Sequence, residues 1–383
     1  MSTQWIYMDH AATTPVDPEV VAAMLPYLNG EASFGNPSSI HRFGREARAA
    51  LDAAREKVAA LLNAEFSEVY FTGSGTEADN LAILGTLRAA PPERNHFVTT
   101  AIEHHAVLHC ARFLQTQGYT VTIVPVDSQG LVSPDDVARA ITDRTALVSV
   151  MHASNEIGTI QPIREIARIA HERGALFHTD AVQTAGMLPV DVRALECDLL
   201  SLCAHKMYGP KGAGALFIRQ GLKVAPILHG GTQEREKRAG TENLPALVGF
   251  GRAAELARER RAADATRMEA LRDRFIAALR DAAPGVHLNG HPRLRLPNNV
   301  NVSVEGVEGP TLLMNLDLRG VAASSGSACS SGSIEPSHVL RAIGLPDDLA
   351  ASGVRFTLGR GTTGAECAQV AAIFGEIVAH LRR

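Results

Sequence analysis

The chain has 383 residues, of which 45% are hydrophobic and 20% charged, values that are ordinary for a soluble globular protein. Its 37 Lys and Arg against 41 Asp and Glu give a net charge of −4, which argues against a general nucleic-acid binder or a polybasic membrane protein. Five cysteines, an odd number in a long chain, do not indicate a disulfide framework and favour a reducing compartment. Residues 1–9 show no secretory signal and no run of 18 apolar residues occurs, so we expect a cytoplasmic protein without a membrane helix.

The first part of the chain alternates short apolar runs with longer amphipathic ones. A short apolar run between turn signals predicts a strand, and an apolar face that repeats every three or four residues predicts a helix. The predicted strands are 68–72, 96–100, 120–124, 145–151, 175–179, 198–202 and 214–219. The predicted helices are 77–88, 104–117, 135–141 and 162–173. Strands and helices in alternation are typical of an α/β fold with a mainly parallel sheet between layers of helices.

The sequence changes in character from about residue 244. The elements predicted there are a helix at 244–283, strands at 299–304 and 354–358, and a last helix at 364–382. We interpret the chain as a large domain of residues 16–260 and a smaller α+β domain of residues 1–15 and 261–383. The Ser/Gly-rich cluster at about residues 324–333 is predicted to form a flexible loop of the smaller domain.

Two charged residues directly follow predicted strands. Asp180 comes after strand 175–179, and Lys206 comes shortly after strand 198–202. Because ligands bind at the carboxyl edge of open α/β sheets, Asp180 can pair there with a buried cation, although a helix N-cap is its alternative role. Lys206 in that position would be desolvated, which favours the neutral amine that forms a Schiff base with a carbonyl cofactor. The alternative for Lys206 is an ordinary surface lysine, a role that suits the neighbouring Lys211 better.

A glycine-containing turn at residues 73–77 opens a predicted helix directly after a strand. Backbone N–H groups around Gly75, together with the Thr76 hydroxyl, would cradle a phosphate at such a helix N-terminus. The spacing of the glycines does not match a dinucleotide-binding GxGxxG motif, and no Walker A motif occurs elsewhere in the chain. The turn therefore predicts a phosphate site without identifying the ligand.

Histidines cluster at the start of the helix predicted at 104–117. His104 and His105 are adjacent, and His109 lies one turn later. No HExxH motif and no nearby carboxylate complete a zinc site, so we expect no metal. His104 would instead lie against a planar ring ligand.

Cys329 lies within the Ser/Gly-rich cluster rather than among apolar residues. A structural cysteine is usually buried among apolar side chains, whereas a reactive thiolate needs access to its substrate. A flexible loop would carry such a nucleophile toward a bound substrate. An incidental surface cysteine is the alternative interpretation.

Taken together, these motifs resemble the cysteine desulfurases of the class-V aminotransferase family, which use pyridoxal 5'-phosphate (PLP). The Ser-Ser-Gly-Ser-Ala-Cys form of the cluster is similar to the group with a longer mobile loop, which includes the housekeeping and nitrogen-fixation desulfurases. The resemblance implies the PLP-dependent transferase fold type I. The matching stretches run nearly end to end and are 9–15, 34–37, 75–80, 103–104, 151–158, 178–183, 205–212, 238–243, 324–329 and 354–360.

The resemblance implies a role around the PLP ring for four residues. Lys206 would bind PLP through a Schiff base, and Asp180 would pair with the pyridinium nitrogen. Gln183 would hydrogen-bond the phenolic oxygen of the ring. His104 would stack on the ring and assist proton transfer.

The resemblance also implies a phosphate site. Gly75, Thr76 and His205 would hold the phosphate of PLP. Thr241 matches a position that reaches the phosphate of a neighbouring subunit, so a homodimer with shared sites is expected. Cys203 stands where the family generally has a Ser or Thr that contacts the phosphate, so its thiol is expected to make that contact, although a thiol is a weaker hydrogen-bond donor than a hydroxyl.

The implied reaction begins with L-cysteine, whose carboxylate would be bound by Arg355 and by Asn155, which also faces the cofactor. Lys206 would remove the Cα proton, and the Cys329 thiolate would attack the substrate sulfur. The products are L-alanine and a persulfide on Cys329, which passes sulfur to an acceptor such as an iron–sulfur scaffold protein or a thiolation pathway. Housekeeping relatives carry a longer C-terminal tail that helps to dock a scaffold protein, so the resemblance does not identify the sulfur acceptor.

Three alternative functions follow from the same residues. An ordinary PLP aminotransferase would share Lys206 and Asp180 but would have no use for Cys329. A selenocysteine lyase would use the same site on a selenium substrate. A non-catalytic sulfur carrier would need neither the cofactor nor Lys206.

Overall fold

Strands and helices follow one another through most of the chain, in a computed structural model that describes residues 5–325 and 336–383. The strands are β1 (Ile6–Tyr7), β2 (Val69–Thr72), β3 (His96–Thr100), β4 (Thr120–Val124), β5 (Thr145–Ser149), β6 (Leu176–Asp180), β7 (Leu199–Cys203), β8 (Gly214–Ile218), β9 (Val286–Leu288), β10 (Asn299–Val304), β11 (Val321–Ala322) and β12 (Val354–Thr357). The α-helices are α1 (Pro18–Asn29), α2 (Arg42–Leu62), α3 (Gly75–Ala89), α4 (His105–Thr116), α5 (Pro134–Ala140), α6 (Ile163–Glu172), α7 (Leu244–Ala282), α8 (Gly309–Leu318), α9 (His338–Ala342), α10 (Asp347–Ala351) and α11 (Gly364–Leu381). Each strand and helix predicted from the sequence has a counterpart whose bounds differ by only a few residues.

Seven strands form the central sheet, in the order β2-β8-β7-β6-β5-β3-β4. The pairs β3–β4, β3–β5, β5–β6 and β6–β7 are parallel, which confirms the predicted α/β class with a mainly parallel sheet. Strand β8 is the exception, because it runs antiparallel to both β2 and β7. The connection from β7 to β8 contains no α-helix, and only antiparallel neighbours can be joined without a long crossover.

Helices cover both faces of the central sheet. Successive strand residues point to opposite faces, so Phe97 and Val98 belong to different apolar clusters, as do Leu199 and Leu200. One cluster includes α2, α6 and the first part of α7, and the other includes α3 and α4. With both faces covered, the carboxyl edge of the parallel strands is where a ligand can reach the sheet.

A second apolar core lies around two smaller sheets. Strands β12-β10-β9 form an antiparallel sheet, and β1 pairs with β11 in parallel. Their core includes the second half of α7 and much of α11, whereas the first half of α7 belongs to the core of the central sheet. The proposed domain boundary between residues 260 and 261 therefore falls within α7.

Helix α7, with 39 residues, has the length to cross a bilayer, but charged residues recur along it. Across residues 5–325 and 336–383, no helix combines the length and the apolar character that a membrane span requires.

Candidate active site

A cavity of about 320 Å³ lies at the carboxyl edge of the central sheet, where the smaller sheets meet it. A volume of this size suits a small-molecule ligand. Of the sequence-predicted site residues that the structure describes, the cavity brings together all except Thr241. Those that line it are Gly75, Thr76, His104, Asn155, Asp180, Gln183, Cys203, His205, Lys206 and Arg355.

Lys206 and Asp180 enter the cavity from adjacent strands, as the sequence predicts. Asp180 is the last residue of β6, and Lys206 ends a 3₁₀ turn that follows β7. The Nζ of Lys206 donates hydrogen bonds to the carbonyl oxygens of Ala11 and, at 2.6 Å, Ala12. Gln183 Nε2 donates to the same Ala11 carbonyl at 3.1 Å. The N-terminal segment, residues 9–14, thus holds the lysine and the amide from one side, a contact that the sequence analysis missed.

The Asp180 carboxyl group is only 6% exposed, so its ionisation depends on its surroundings. Burial raises its pKa, while the N–H of Val182, which donates to Oδ1 at 2.8 Å, and the charge of Lys206 lower it. Asp79 on α3 is buried beside it, and both its own burial and the charge of Asp180 raise the pKa of Asp79. A cation placed in the cavity would stabilise the ionised form of Asp180 in this setting.

Asp79 was not predicted as a site residue, although it lines the cavity. The sequence contains a signal for its position, since Asp79 lies four residues after Gly75 and therefore on the same face of α3. What the sequence does not show is the approach of Asp79 to β6, where its Oδ1 lies 3.7 Å from His178 Nε2.

The N-terminus of α3 has the features of an anion site. Ser74 caps the helix: its Oγ accepts from the Glu77 N–H at 3.1 Å, and its carbonyl accepts from the Ala78 N–H at 3.1 Å. The N–H groups of Gly75 and Thr76 precede these bonds and are oriented toward the end of the helix. A Cβ on Gly75 would lie 2.7 Å from a methyl group of Val182, so glycine is needed for this close approach.

His205 and Cys203 complete this end of the cavity. His205 Nδ1 is 3.2 Å from the Thr13 hydroxyl, and burial together with the charges of Lys206 and Lys211 lowers its pKa to about 4. Its imidazole is therefore neutral at ordinary pH. Cys203 is 1% exposed, and burial raises the pKa of its thiol to about 12, so it is a neutral donor.

The imidazole of His104 is held in place by the helix that it caps. Its Nδ1 accepts from the N–H of Ala106 at 3.1 Å, which leaves the proton of the neutral ring on Nε2. Burial, followed by the charge of Lys206 and the neighbouring imidazoles, lowers the pKa of His104 to about 4. The neutral ring is suited to lie against a planar ligand.

His105 and His109, predicted only as neighbours of His104, form a group with His338, and His105 and His338 line the cavity. The ring centroid of His105 is 5.1 Å from that of His109 and 4.9 Å from that of His338. Within the part of the chain that the structure describes, no group of three or more His, Cys, Asp or Glu side chains is placed to hold a metal ion.

Arg355 reaches the cavity from strand β12 of the smaller sheet. Its side chain is 2% exposed, its Nη1 donates to the Asn155 carbonyl at 2.8 Å, and its Nη2 lies 2.8 Å from Asp9 Oδ1. A buried guanidinium that is fixed on two sides is well suited to bind a carboxylate ligand. The cavity therefore combines groups from the central sheet with a cation from the smaller one.

Thr241, which was predicted as a phosphate ligand, is not part of this cavity. Thr241 lines a different one, together with Gly73 and Arg238. That segment is tied to the anion site from outside, because the Glu77 carboxylate accepts from the Gly73 N–H and from Arg238 Nε, both at 2.8 Å. Cys329 lies outside the described residues.

The chemical groups that line the cavity match those of PLP. An amine, an amide donor and a buried carboxylate, from Lys206, Gln183 and Asp180, match the aldehyde, phenolic oxygen and ring nitrogen of that molecule. The helix N-terminus at Gly75, where a side chain would not fit, matches its phosphate.

Comparison with known proteins identifies the family. Residues 6–370 match the sequence model of the family described as aminotransferase class-V. The chain is 52% identical to a cysteine desulfurase IscS of Methanosarcina thermophila, over 98% of this chain and 93% of that protein, and 50% identical to a cysteine desulfurase IscS of Dictyoglomus turgidum, over 98% and 95%. The solved structure of a NifS-like protein superimposes with a TM-score of 0.92 at 36% identity, covering 98% of this chain and 100% of that one. The chain therefore belongs to the aminotransferase class-V family and, within it, to the cysteine desulfurases.

Proposed function

We propose that the protein is a PLP-dependent cysteine desulfurase, which converts L-cysteine to L-alanine and transfers the sulfur to Cys329 as a persulfide. The observation that carries the proposal is the convergence of Lys206, Asp180 and Arg355 in one cavity. An amine, a carboxylate for a ring nitrogen and a guanidinium are the groups that chemistry at the Cα of an amino acid requires. The 52% identity to a cysteine desulfurase supports cysteine as the amino acid.

The cofactor would be held from the side of the central sheet. Gly75 and Thr76 would donate backbone N–H groups to the phosphate, with further hydrogen bonds from the Thr76 hydroxyl, His205 and the Cys203 thiol. The Asp180 carboxylate would hold a proton on the ring nitrogen. When bound, PLP supplies a sink for the electron pair released at Cα.

The substrate would be bound and deprotonated by groups already in place. Arg355 and the side chain of Asn155 would bind the carboxylate of cysteine, which orients its Cα toward Lys206. The neutral Lys206 Nζ would then remove the Cα proton and become an ammonium. The carbonyl oxygens of Ala11 and Ala12, which accept hydrogen bonds from this Nζ, would stabilise that charge.

The sulfur step balances without an external oxidant or reductant, because cysteine and alanine differ by one sulfur atom. The Cys329 thiolate attacks the substrate sulfur, so an S–S bond forms as the substrate C–S bond breaks. The electron pair of the C–S bond stays with Cβ, which takes up a proton, and the Lys206 ammonium returns a proton to Cα. The products are L-alanine and the Cys329 persulfide. His104, whose Nε2 carries a proton, would take part in these proton transfers.

The other cysteines support the assignment of Cys329. Every cysteine within the described residues is buried, and burial raises the pKa of each of these thiols. A buried thiol with a raised pKa is a poor nucleophile, since the thiolate is the reactive form. These four are Cys110, Cys197, Cys203 and Cys367.

We also propose a homodimer in the cytoplasm that passes its sulfur to an acceptor protein. Thr241 would donate to the phosphate in the neighbouring subunit, since it lines no part of the cavity in its own chain. A reducing compartment would keep Cys329 out of disulfides and open to the acceptor, which would be an iron–sulfur scaffold or a thiolation protein.

Incubation of the purified protein with ³⁵S-labelled L-cysteine tests the function directly. We expect L-alanine to appear in the same amount as transferred sulfur, and mass mapping to find one added sulfur atom on the peptide that contains Cys329. Pyruvate or a keto acid in place of alanine, with no persulfide, would contradict the proposal and favour another reaction of the family.

The Cys203→Ser variant is expected to bind PLP about threefold more tightly, because a buried hydroxyl is a better donor to phosphate than a thiol of similar size. The dissociation constant, measured by the absorbance change when apoprotein takes up PLP, checks this. Cys110→Ser is the matched control, since Cys110 is a buried thiol of α4 that does not line the cavity, and it should show no gain. PLP binding by Cys203→Ser that is unchanged from the wild type would show that this side chain does not contact the phosphate.

A further inference from the structure

The N-terminal segment, residues 9–14, contacts the candidate site at several points, although none of its side chains is assigned a role in the reaction. Asp9 is its first residue, and the Asp9 carboxylate forms an ion pair with Arg355, with 2.8 Å between Oδ1 and Nη2. The two residues are separated by 346 positions in the chain, so the fold brings them together. This pair joins the N-terminal segment to the strand that carries the substrate-binding guanidinium.

We propose that Asp9 is a positioning residue, which orients the Arg355 guanidinium for the carboxylate of the amino acid substrate. The inference rests on the proposed function in one respect, namely that Arg355 binds this carboxylate. It adds a residue that sets the affinity for the substrate without touching it.

The position of Asp9 is itself well fixed. Its backbone forms a parallel bridge with Thr357 of β12, two residues beyond Arg355. The Thr357 hydroxyl accepts from the N–H of Ala11 at 2.8 Å, and the Tyr7 hydroxyl donates to the Asp9 carbonyl at 3.0 Å. The backbone of Asp9 is thus anchored to the same strand whose arginine its carboxylate contacts.

A second carboxyl group near the Arg355 guanidinium could pair with it in place of Asp9. Glu156 also lines the cavity, is 2% exposed, and interacts electrostatically with Arg355. It accepts a hydrogen bond from the Ser337 hydroxyl, and burial raises its pKa to about 7. Asp9 has an 18% exposed side chain, so its charge keeps contact with water. Among the described residues, Glu156 is a second carboxyl group whose charge acts on the guanidinium, and without Asp9 we expect it to draw the guanidinium away from its present orientation.

The Asp9→Asn variant of the holoenzyme tests this inference. We expect the KM for L-cysteine to rise about tenfold while kcat stays within about twofold, because a charge-assisted hydrogen bond that positions a binding group is lost. Binding of L-alanine, measured by calorimetry, should weaken by a similar factor. Binding of L-alaninamide, which has the amine but no carboxylate, should not change.

Two further variants keep the result interpretable. Asp17→Asn is the matched control, because Asp17 caps α1 and pairs with Arg260 and Arg360 outside the cavity, and it should leave the KM unchanged. Asp9→Glu keeps the negative charge on a longer side chain and should show a smaller rise in KM than Asp9→Asn. If Asp9→Asn does not fold, Asp9→Glu still tests the inference.

The inference is overturned if Asp9→Asn leaves the KM and the L-alanine affinity unchanged, or if it weakens L-alaninamide as strongly as L-alanine. The wild-type protein separates this failure from failure of the proposed function. If wild type releases no alanine from cysteine, the function is wrong. If wild type is active and the Asp9 variants have the same KM and L-alanine affinity as wild type, the positioning role is wrong.

Discussion

Cys329→Ser is expected to lower sulfur transfer from L-cysteine by about 10³-fold or more, a loss on the scale seen when the nucleophile of an enzyme is removed. A serine hydroxyl does not attack sulfur, so the substrate C–S bond stays intact. The proposed phosphate, ring and carboxylate contacts would involve other residues, so the absorbance of the bound cofactor should be preserved. Alanine formation and the persulfide yield, measured with the cofactor spectrum on one preparation, check this result.

The matched control for that variant is Cys367→Ser. Cys367 lies in α11, is buried away from the cavity, and has its pKa raised by burial to about 11. It should retain the wild-type rate of alanine formation. Wild-type alanine formation by Cys329→Ser would contradict the assignment of Cys329 as the nucleophile.

Local signals were sufficient for most elements of the fold. Strand β3 and helix α4 were predicted within a residue or two because periodicity and a capping residue mark their ends. Helix α1 was not predicted, although its signals are also local: Asp17 at the N-cap, Pro18 at N1 and Gly30 at the C-cap. The antiparallel direction of β8 relative to β7 was not predicted, although the connection between them is short and contains no α-helix; the pairing of β8 with the distant β2 has no local signal.

In the candidate site, too, the features with a local sequence signal were predicted and those that depend on long-range packing were not. Asp180 and Lys206 were predicted to share one sheet edge because each follows a strand, and parallel neighbours end at the same edge. The ion pair of Asp9 with Arg355 could not be predicted, because it depends on the packing of the N-terminal segment against β12. The carbonyl oxygens that accept from Lys206 are equally hidden, since any residue type carries a carbonyl.

Lys206→Ala is expected to lower alanine formation from L-cysteine by about 10⁴-fold, because it removes the base at Cα. The variant also loses the amine that would bind the cofactor covalently. Borohydride reduction followed by mass mapping should find the cofactor on Lys206 in the wild type and on no lysine in the variant. The anion site at Gly75 and the Asp180 carboxylate remain, so the variant should still take up PLP without a covalent bond, with lower affinity.

Lys211→Ala separates the role of Lys206 from a general effect of positive charge near the cavity. Lys211 is exposed in the same connection between β7 and β8, and its charge also acts on His205. If Lys206 acts through its charge alone, the two variants should resemble each other in rate and Lys206→Arg should restore activity. If Lys206 is the base, Lys211→Ala keeps nearly the wild-type rate and Lys206→Arg stays inactive, since a guanidinium remains protonated and cannot accept the Cα proton. Turnover by Lys206→Ala close to that of the wild type would remove the chemical basis for the proposed reaction.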